Sequence, residues 1–197
     1  MKKPIFNIRK IVADFYLRRF RKQMQPTSRS FPGDLMVTKH ILVCLPPGLR
    51  ELTLVKQFLP QLASLFKTAD ITLLAVPGVQ VTDIYPRKGF HLLTPAMDQL
   101  TWAGLPKPTF LKSLQEYKFD LVMDLSLEQT NFTSTVLLHF PNAVRIGRGN
   151  HIGEPFYNLE IKSKYLRDER NIYRSLLETL AAIMNRTLDG SPVATNG

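Results

Sequence analysis

His40-Ile-Leu-Val-Cys-Leu-Pro-Pro-Gly-Leu-Arg-Glu51 decides the fold. His40–Leu45 is a short apolar run that Pro46-Pro47-Gly48 stops, the pattern of a buried strand running into a turn. Helical spacing follows over 50–67, where Leu52, Val55, Leu59, Leu62 and Phe66 recur three and four residues apart. Pro60 inside that run predicts a kink or an early break. The same alternation returns downstream. Asp70–Val76 reads as a strand closed by Pro77-Gly78, a short strand falls around Phe90–Leu93, and a helix over Thr109–Tyr117 follows Pro106 and Pro108. Phe119–Asp124 is the next strand and Glu128–His139 the helix after it. Ala143–Gly147 and Tyr157–Lys162 are two more strands. A last amphipathic helix covers 165–187, with Leu166, Ile172, Leu176, Leu177, Leu180 and Ile183 on its apolar side. Strands alternating with helices in this way predict an α/β fold: one Rossmann-like, mostly parallel sheet with helices on both faces over 40–187, built with right-handed crossovers. The polar tail 188–197 is predicted to be disordered.

The chain has 197 residues, 44% of them apolar and 21% charged, which suits one soluble domain with an appendage. One cysteine, Cys44, excludes an internal disulfide and suggests a reducing compartment. With four scattered histidines it offers no zinc spacing, and no metal or cofactor is expected. The apolar runs are too short to span a bilayer.

The net charge of +10 is concentrated. Residues 1–40 hold ten Lys/Arg against Asp14 and Asp34, a balance of +8, whereas the rest of the chain is nearly neutral. Within this arm, residues 5–24 read as a basic amphipathic helix carrying Ile5, Ile8, Ile11, Val12, Phe15, Tyr16 and Phe20, with Arg18, Arg19, Arg21 and Lys22 toward its C-terminal end. A linker over 26–39 follows. Arg9, Lys10 and Asp14 interrupt any signal-peptide core. Three roles stand open for the helix: packing its apolar stripe on the domain, lying in the surface of an anionic membrane, or binding nucleic acid. The last is disfavoured, because the body is not basic and carries no nucleic-acid module.

In a doubly wound sheet, ligands bind beyond the carboxyl ends of the strands where strand order reverses. That singles out the loops Leu45–Glu51, Pro77–Gln80, Asp124–Thr130 and Gly147–Gly153. In the first, Arg50 and Glu51 are a candidate phosphate-binding cation and general base, or Glu51 simply favours the positive end of a helix. Asp124 and Glu128 are placed to flank a ligand hydroxyl, with Ser126 beside them or capping the next helix. Arg145-Ile-Gly-Arg148-Gly-Asn150-His151-Ile-Gly153 is flexible and cationic, suited to an anionic sugar or phosphate, or else is a solvated turn. Its glycine spacing is one residue too long for a dinucleotide fingerprint, which excludes NAD. Met97, Trp102 and the phenylalanines are assigned to core or loop packing. Asn131-Phe-Thr133 and Asn185-Arg-Thr187 match the glycosylation acceptor pattern but follow no secretory signal.

The order of these segments resembles the N-terminal half of the lipopolysaccharide heptosyltransferases, glycosyltransferase family nine. The likeness runs through Ile41-Leu-Val-Cys-Leu-Pro-Pro-Gly-Leu-Arg-Glu51, Ile71-Thr-Leu-Leu-Ala-Val-Pro-Gly78, Tyr117-Lys-Phe-Asp-Leu-Val-Met-Asp-Leu125, Asn142-Ala-Val-Arg-Ile-Gly147, and Tyr157-Asn-Leu-Glu-Ile161 with the closing helix. The resemblance implies the acceptor-binding half of a GT-B enzyme, which transfers a sugar with inversion from a nucleotide-sugar to a lipid-linked acceptor. It places Glu51 at the position of the family's catalytic aspartate and Arg50 where the family has glycine, while Pro46 and Pro47 replace serines. Arg50, Asp124, Ser126, Glu128, Arg148, Asn150 and His151 are the candidate acceptor-binding residues. The chain ends where the family's donor-binding domain would start, so the expectation is a protein inactive alone: either it works with a separate donor-binding chain on an anionic lipid or saccharide acceptor, or it is an inactive remnant that binds acceptor or partner. Its expected place is the cytoplasm, peripheral on the inner face of a bacterial inner membrane through residues 5–24. A non-enzymatic membrane-associated adaptor is the alternative.

Overall fold

The computed structural model describes residues 8–24, 27–77, 89–148, 155–162 and 168–188. Their elements are α1 (Ile8–Gln23), α2 (Gly33–Met36), β1 (His40–Cys44), α3 (Leu49–Leu65), β2 (Asp70–Leu74), β3 (His91–Leu93), α4 (Pro108–Gln115), β4 (Leu121–Asp124), α5 (Asn131–Leu138), β5 (Val144–Arg148), β6 (Leu159–Ile161) and α6 (Glu169–Ile183). A 3₁₀ turn covers Met97–Gln99. The strands form one six-stranded sheet in the order β3-β2-β1-β4-β5-β6, and every pairing is parallel. The predicted α/β architecture is therefore the observed one.

Period-two alternation sorts each strand between the two faces. Ile41, Val43, Ile71, Leu73, Leu121, Met123, Val144 and Ile146 point into a core layer closed by α3 and α6, and Leu35 of α2 joins them. Leu42, Cys44, Leu74 and Val122 point the other way, into a layer closed by α4 and α5. Strands buried on both faces account for the unbroken apolar runs in the sequence.

Three expectations change in detail. Helix α3 neither stops nor breaks at Pro60: it continues to Leu65. Pro60 faces solvent, on the side where a carbonyl left without its N–H partner is open to water, and Leu59 and Leu62 are buried. Helix α5 begins at Asn131 rather than Glu128. Its cap is Thr130, whose Oγ1 accepts from the Thr133 N–H at 3.1 Å; Ser126 is not the cap. Within the expected linker, the single turn α2 plants Leu35 in the core. Residues 5–7, the loop 149–154 and the tail from 189 lie outside the described residues.

Candidate functional site

Strand order reverses between β1 and β4: one half of the chain winds outward through β2 and β3, the other through β5 and β6. In doubly wound sheets the loops leaving the two strands at such a point diverge, and a ligand crevice lies beyond the carboxyl ends of the strands. In a parallel sheet the crossover helices run back against the strands, so α3, α5 and α6 present their N-terminal ends on this side.

Gly48 is the N-cap of α3 and has no side chain to cap with. Glu51, three residues on, fills that role by accepting the Gly48 N–H, half of a capping box. The carboxyl of Glu51 nonetheless titrates above the usual carboxylate range. Partial burial is the main cause, the negative charges of Glu169 and Glu128 add to it, and the Gly48 bond and Arg148 oppose it. Across the α3–α6 contact, Arg50 Nε lies 3.1 Å from Glu169 Oε2, beside an open cleft of about 470 Å³ that Thr53 and Asp168 also line. With 81% of its side chain exposed, Arg50 gives little stability through this pair and remains open to a solute. Arg148, at the end of β5, donates from NH1 to the Leu127 carbonyl at 3.0 Å and fastens the β4–α5 loop to the neighbouring strand. Glu128 is exposed on that loop.

Asp124 faces inward instead. It is buried, accepts the Tyr157 hydroxyl at 2.7 Å on Oδ2, and accepts the Ser126 N–H at 2.9 Å on Oδ1. Its burial pushes the carboxyl up despite these bonds, and burial together with the Asp124 charge holds the Tyr157 phenol neutral. The Tyr157 ring lies flat against β5 at Gly147, where any Cβ would collide with ring carbons. Asp124 and Ser126 are thus buried at the carboxyl end of β4. Arg145 is likewise internal: fully buried, it donates from Nε to the Phe156 carbonyl and from NH1 to those of Phe140 and Pro141. The structure therefore brings Glu51, Glu128, Arg148 and Glu169 within electrostatic reach of one another, pairs Arg50 with Glu169 beside its own cleft, and buries Asp124, Ser126 and Arg145. Asn150 and His151 lie outside the described residues.

Glu169 and Tyr157 are the partners that single-residue reasoning missed. Asp168-Glu169 before an apolar periodic run marks a helix start, and Asp168 does cap α6. That signal gives no hint that the start lies against α3. Among the described residues no three His, Cys, Asp or Glu side chains gather to hold a metal. Met97 and Trp102, assigned to packing, are exposed.

No protein-family model and no curated protein matches the chain. Among solved structures it is similar to the E. coli heptosyltransferase WaaC with ADP, at a TM-score of 0.51 and 12% sequence identity. The chain folds like one half of a GT-B heptosyltransferase. The likeness covers 78% of this chain and 49% of that one, so the chain spans about half the length of the enzyme it matches.

Proposed function

We propose that this domain forms the acceptor-side wall of a glycosyl-transfer site that builds a cell-envelope saccharide of the lipopolysaccharide type, facing a donor-binding domain. The observation that supports it is the position of Glu51: a carboxylate of raised basicity at the reversal point of a heptosyltransferase-like sheet. Glu51 takes the proton of the acceptor hydroxyl as that oxygen attacks the anomeric carbon of an activated sugar, and the nucleotide leaves from the opposite face. Arg50 and Arg148 hold the acceptor's anionic groups, and Glu128 accepts from its hydroxyls.

Thermal unfolding of the full chain with phosphorylated saccharides tests binding. A ligand at about 100 times its Kd adds about 2.7 kcal/mol, which raises the Tm of a chain this size by roughly 5–11 °C. No shift with any anionic saccharide would leave the adaptor reading in its place. With a donor-binding domain present, Glu51→Gln keeps the acceptor for the Gly48 N–H but loses the base. Saccharide binding then survives while transfer falls roughly 100- to 10,000-fold. In the native protein the rate rises with pH, and its limb sits above the ordinary carboxylate range because Glu51 must be ionised to act.

A further inference from the structure

Helix α1 docks on the body with one side only. Ala13 is buried, Asn131 Nδ2 donates to Asp14 Oδ1 at 3.1 Å, Phe20 stacks on His139 with ring centroids 5.0 Å apart, and the Arg21 guanidinium sits over the Phe156 ring. Leu17 and Met24 pack partly into the core layer on the α4–α5 face. At 100° per residue, the side opposite Ala13 carries Ile8, Ile11, Phe15, Arg18, Arg19 and Lys22. All six are exposed, Ile8 and Phe15 by more than 60%. Ile8, Ile11 and Phe15 of the apolar stripe read from the sequence therefore turn away from the domain, while Val12 and Phe20 of the same stripe face it.

The exposed face is divided along its length: aliphatic and aromatic in the first half, cationic in the second. Asp14 is the sole acid of α1 and is engaged with Asn131, against six Lys/Arg in the helix. Arg18, Arg19, Arg21 and Lys22 border an open cleft of about 810 Å³ between the end of α1 and Pro155. Sixteen residues span about 24 Å, less than a bilayer's hydrocarbon core, and no described helix is long and apolar enough to cross one.

We propose that the outer face of α1 lies in the surface of an anionic phospholipid bilayer. Ile8, Ile11 and Phe15 enter the boundary between headgroups and acyl chains, and Arg18, Arg19 and Lys22 meet the lipid phosphates, with the cleft beside them receiving a headgroup. Charge complementarity selects this occupant: a protein groove would cover the apolar half and leave the cations without a counterpart, whereas an anionic lipid surface serves both halves. Because α1 is fixed to α5, the bilayer would also fix the orientation of the sheet. This inference is independent of the glycosyl-transfer reading.

Vesicle flotation of the full chain tests it, comparing phosphatidylcholine alone with phosphatidylcholine–phosphatidylglycerol. The protein floats with the anionic vesicles, floats less as salt rises, and stays behind with the neutral ones. Arg18→Gln, Arg19→Gln and Lys22→Gln each lower partitioning roughly fivefold. Phe15→Ser lowers it at unchanged salt dependence. These side chains are exposed, so an unchanged denaturation midpoint confirms that each variant is folded. Equal flotation with both vesicle types, or partitioning indifferent to all four substitutions, overturns the proposal. So does duplex DNA that strips the protein from vesicles at equimolar phosphate, which would assign the cations to nucleic acid.

Discussion

Tyr157 governs Asp124, a carboxylate buried at the carboxyl end of β4. Its hydroxyl supplies a charge-assisted hydrogen bond that partly offsets the burial of Asp124, and Gly147 makes room for the ring. Because burial raises the Asp124 pKa in the folded state, the folded protein binds this proton more tightly than the unfolded chain. The stability associated with protonated Asp124 is fully present at acid pH and is lost as pH rises through the raised value. Tyr157→Phe removes the bond that favours the charged form. Denaturant titration should show a loss of about 1.5–3 kcal/mol at a pH above the raised Asp124 value, shrinking toward about 1 kcal/mol at a pH below it, where the carboxyl is protonated. A deficit equal at both pH values would mean that the hydroxyl does not stabilise the carboxylate. Sequence alone exposed Glu51 and Arg50 through their place after a strand and turn. It hid the inward turn of Asp124, because the strand-end position that aims a residue at a ligand serves equally to aim it at a tyrosine from a distant segment.

Among the elements, helix boundaries followed local chemistry where a single signal acted and went astray where several competed. Ser126, Glu128 and Thr130 each offer a helix-start signal within five residues, and Thr130 prevails because its hydroxyl reaches the Thr133 N–H. Thr130→Ala should cost about 1 kcal/mol and speed hydrogen exchange at Thr133; wild-type exchange there would remove Thr130 from the capping role. In α3, Pro60 carried a strong breaking signal, yet tertiary burial of Leu59, Leu62 and Leu65 outweighs the lost bond on the wet side. Helix α1 shows the limit of periodicity. The pattern finds an apolar stripe, but that stripe divides: Phe20 meets the body beside the small and polar contacts at Ala13 and Asp14, which carry no periodic signature, and Ile8, Ile11 and Phe15 do not.

For the whole molecule, strand existence was most legible at β1, β2 and β4, which are largely apolar runs stopped by proline, glycine or an acid, and parallel pairing followed from the intervening helices. The lateral order was not legible, since it depends on which crossovers turn left or right along the sheet from β1. That order brings Glu51, Glu128, Arg148 and Glu169 within electrostatic reach of one another from four segments more than a hundred residues apart at their extremes. The proposed activity requires that a saccharide acceptor sit beside these residues. Hydrogen–deuterium exchange of the full chain, with and without a phosphorylated saccharide that raises its Tm, tests that most directly. Protection should appear in the turn and first residues of α3, in the 125–130 loop and at the end of β5, and it should vanish in Arg50→Ala. Protection confined to α1 or to the β3 edge, or protection unaffected by Arg50→Ala, would contradict it.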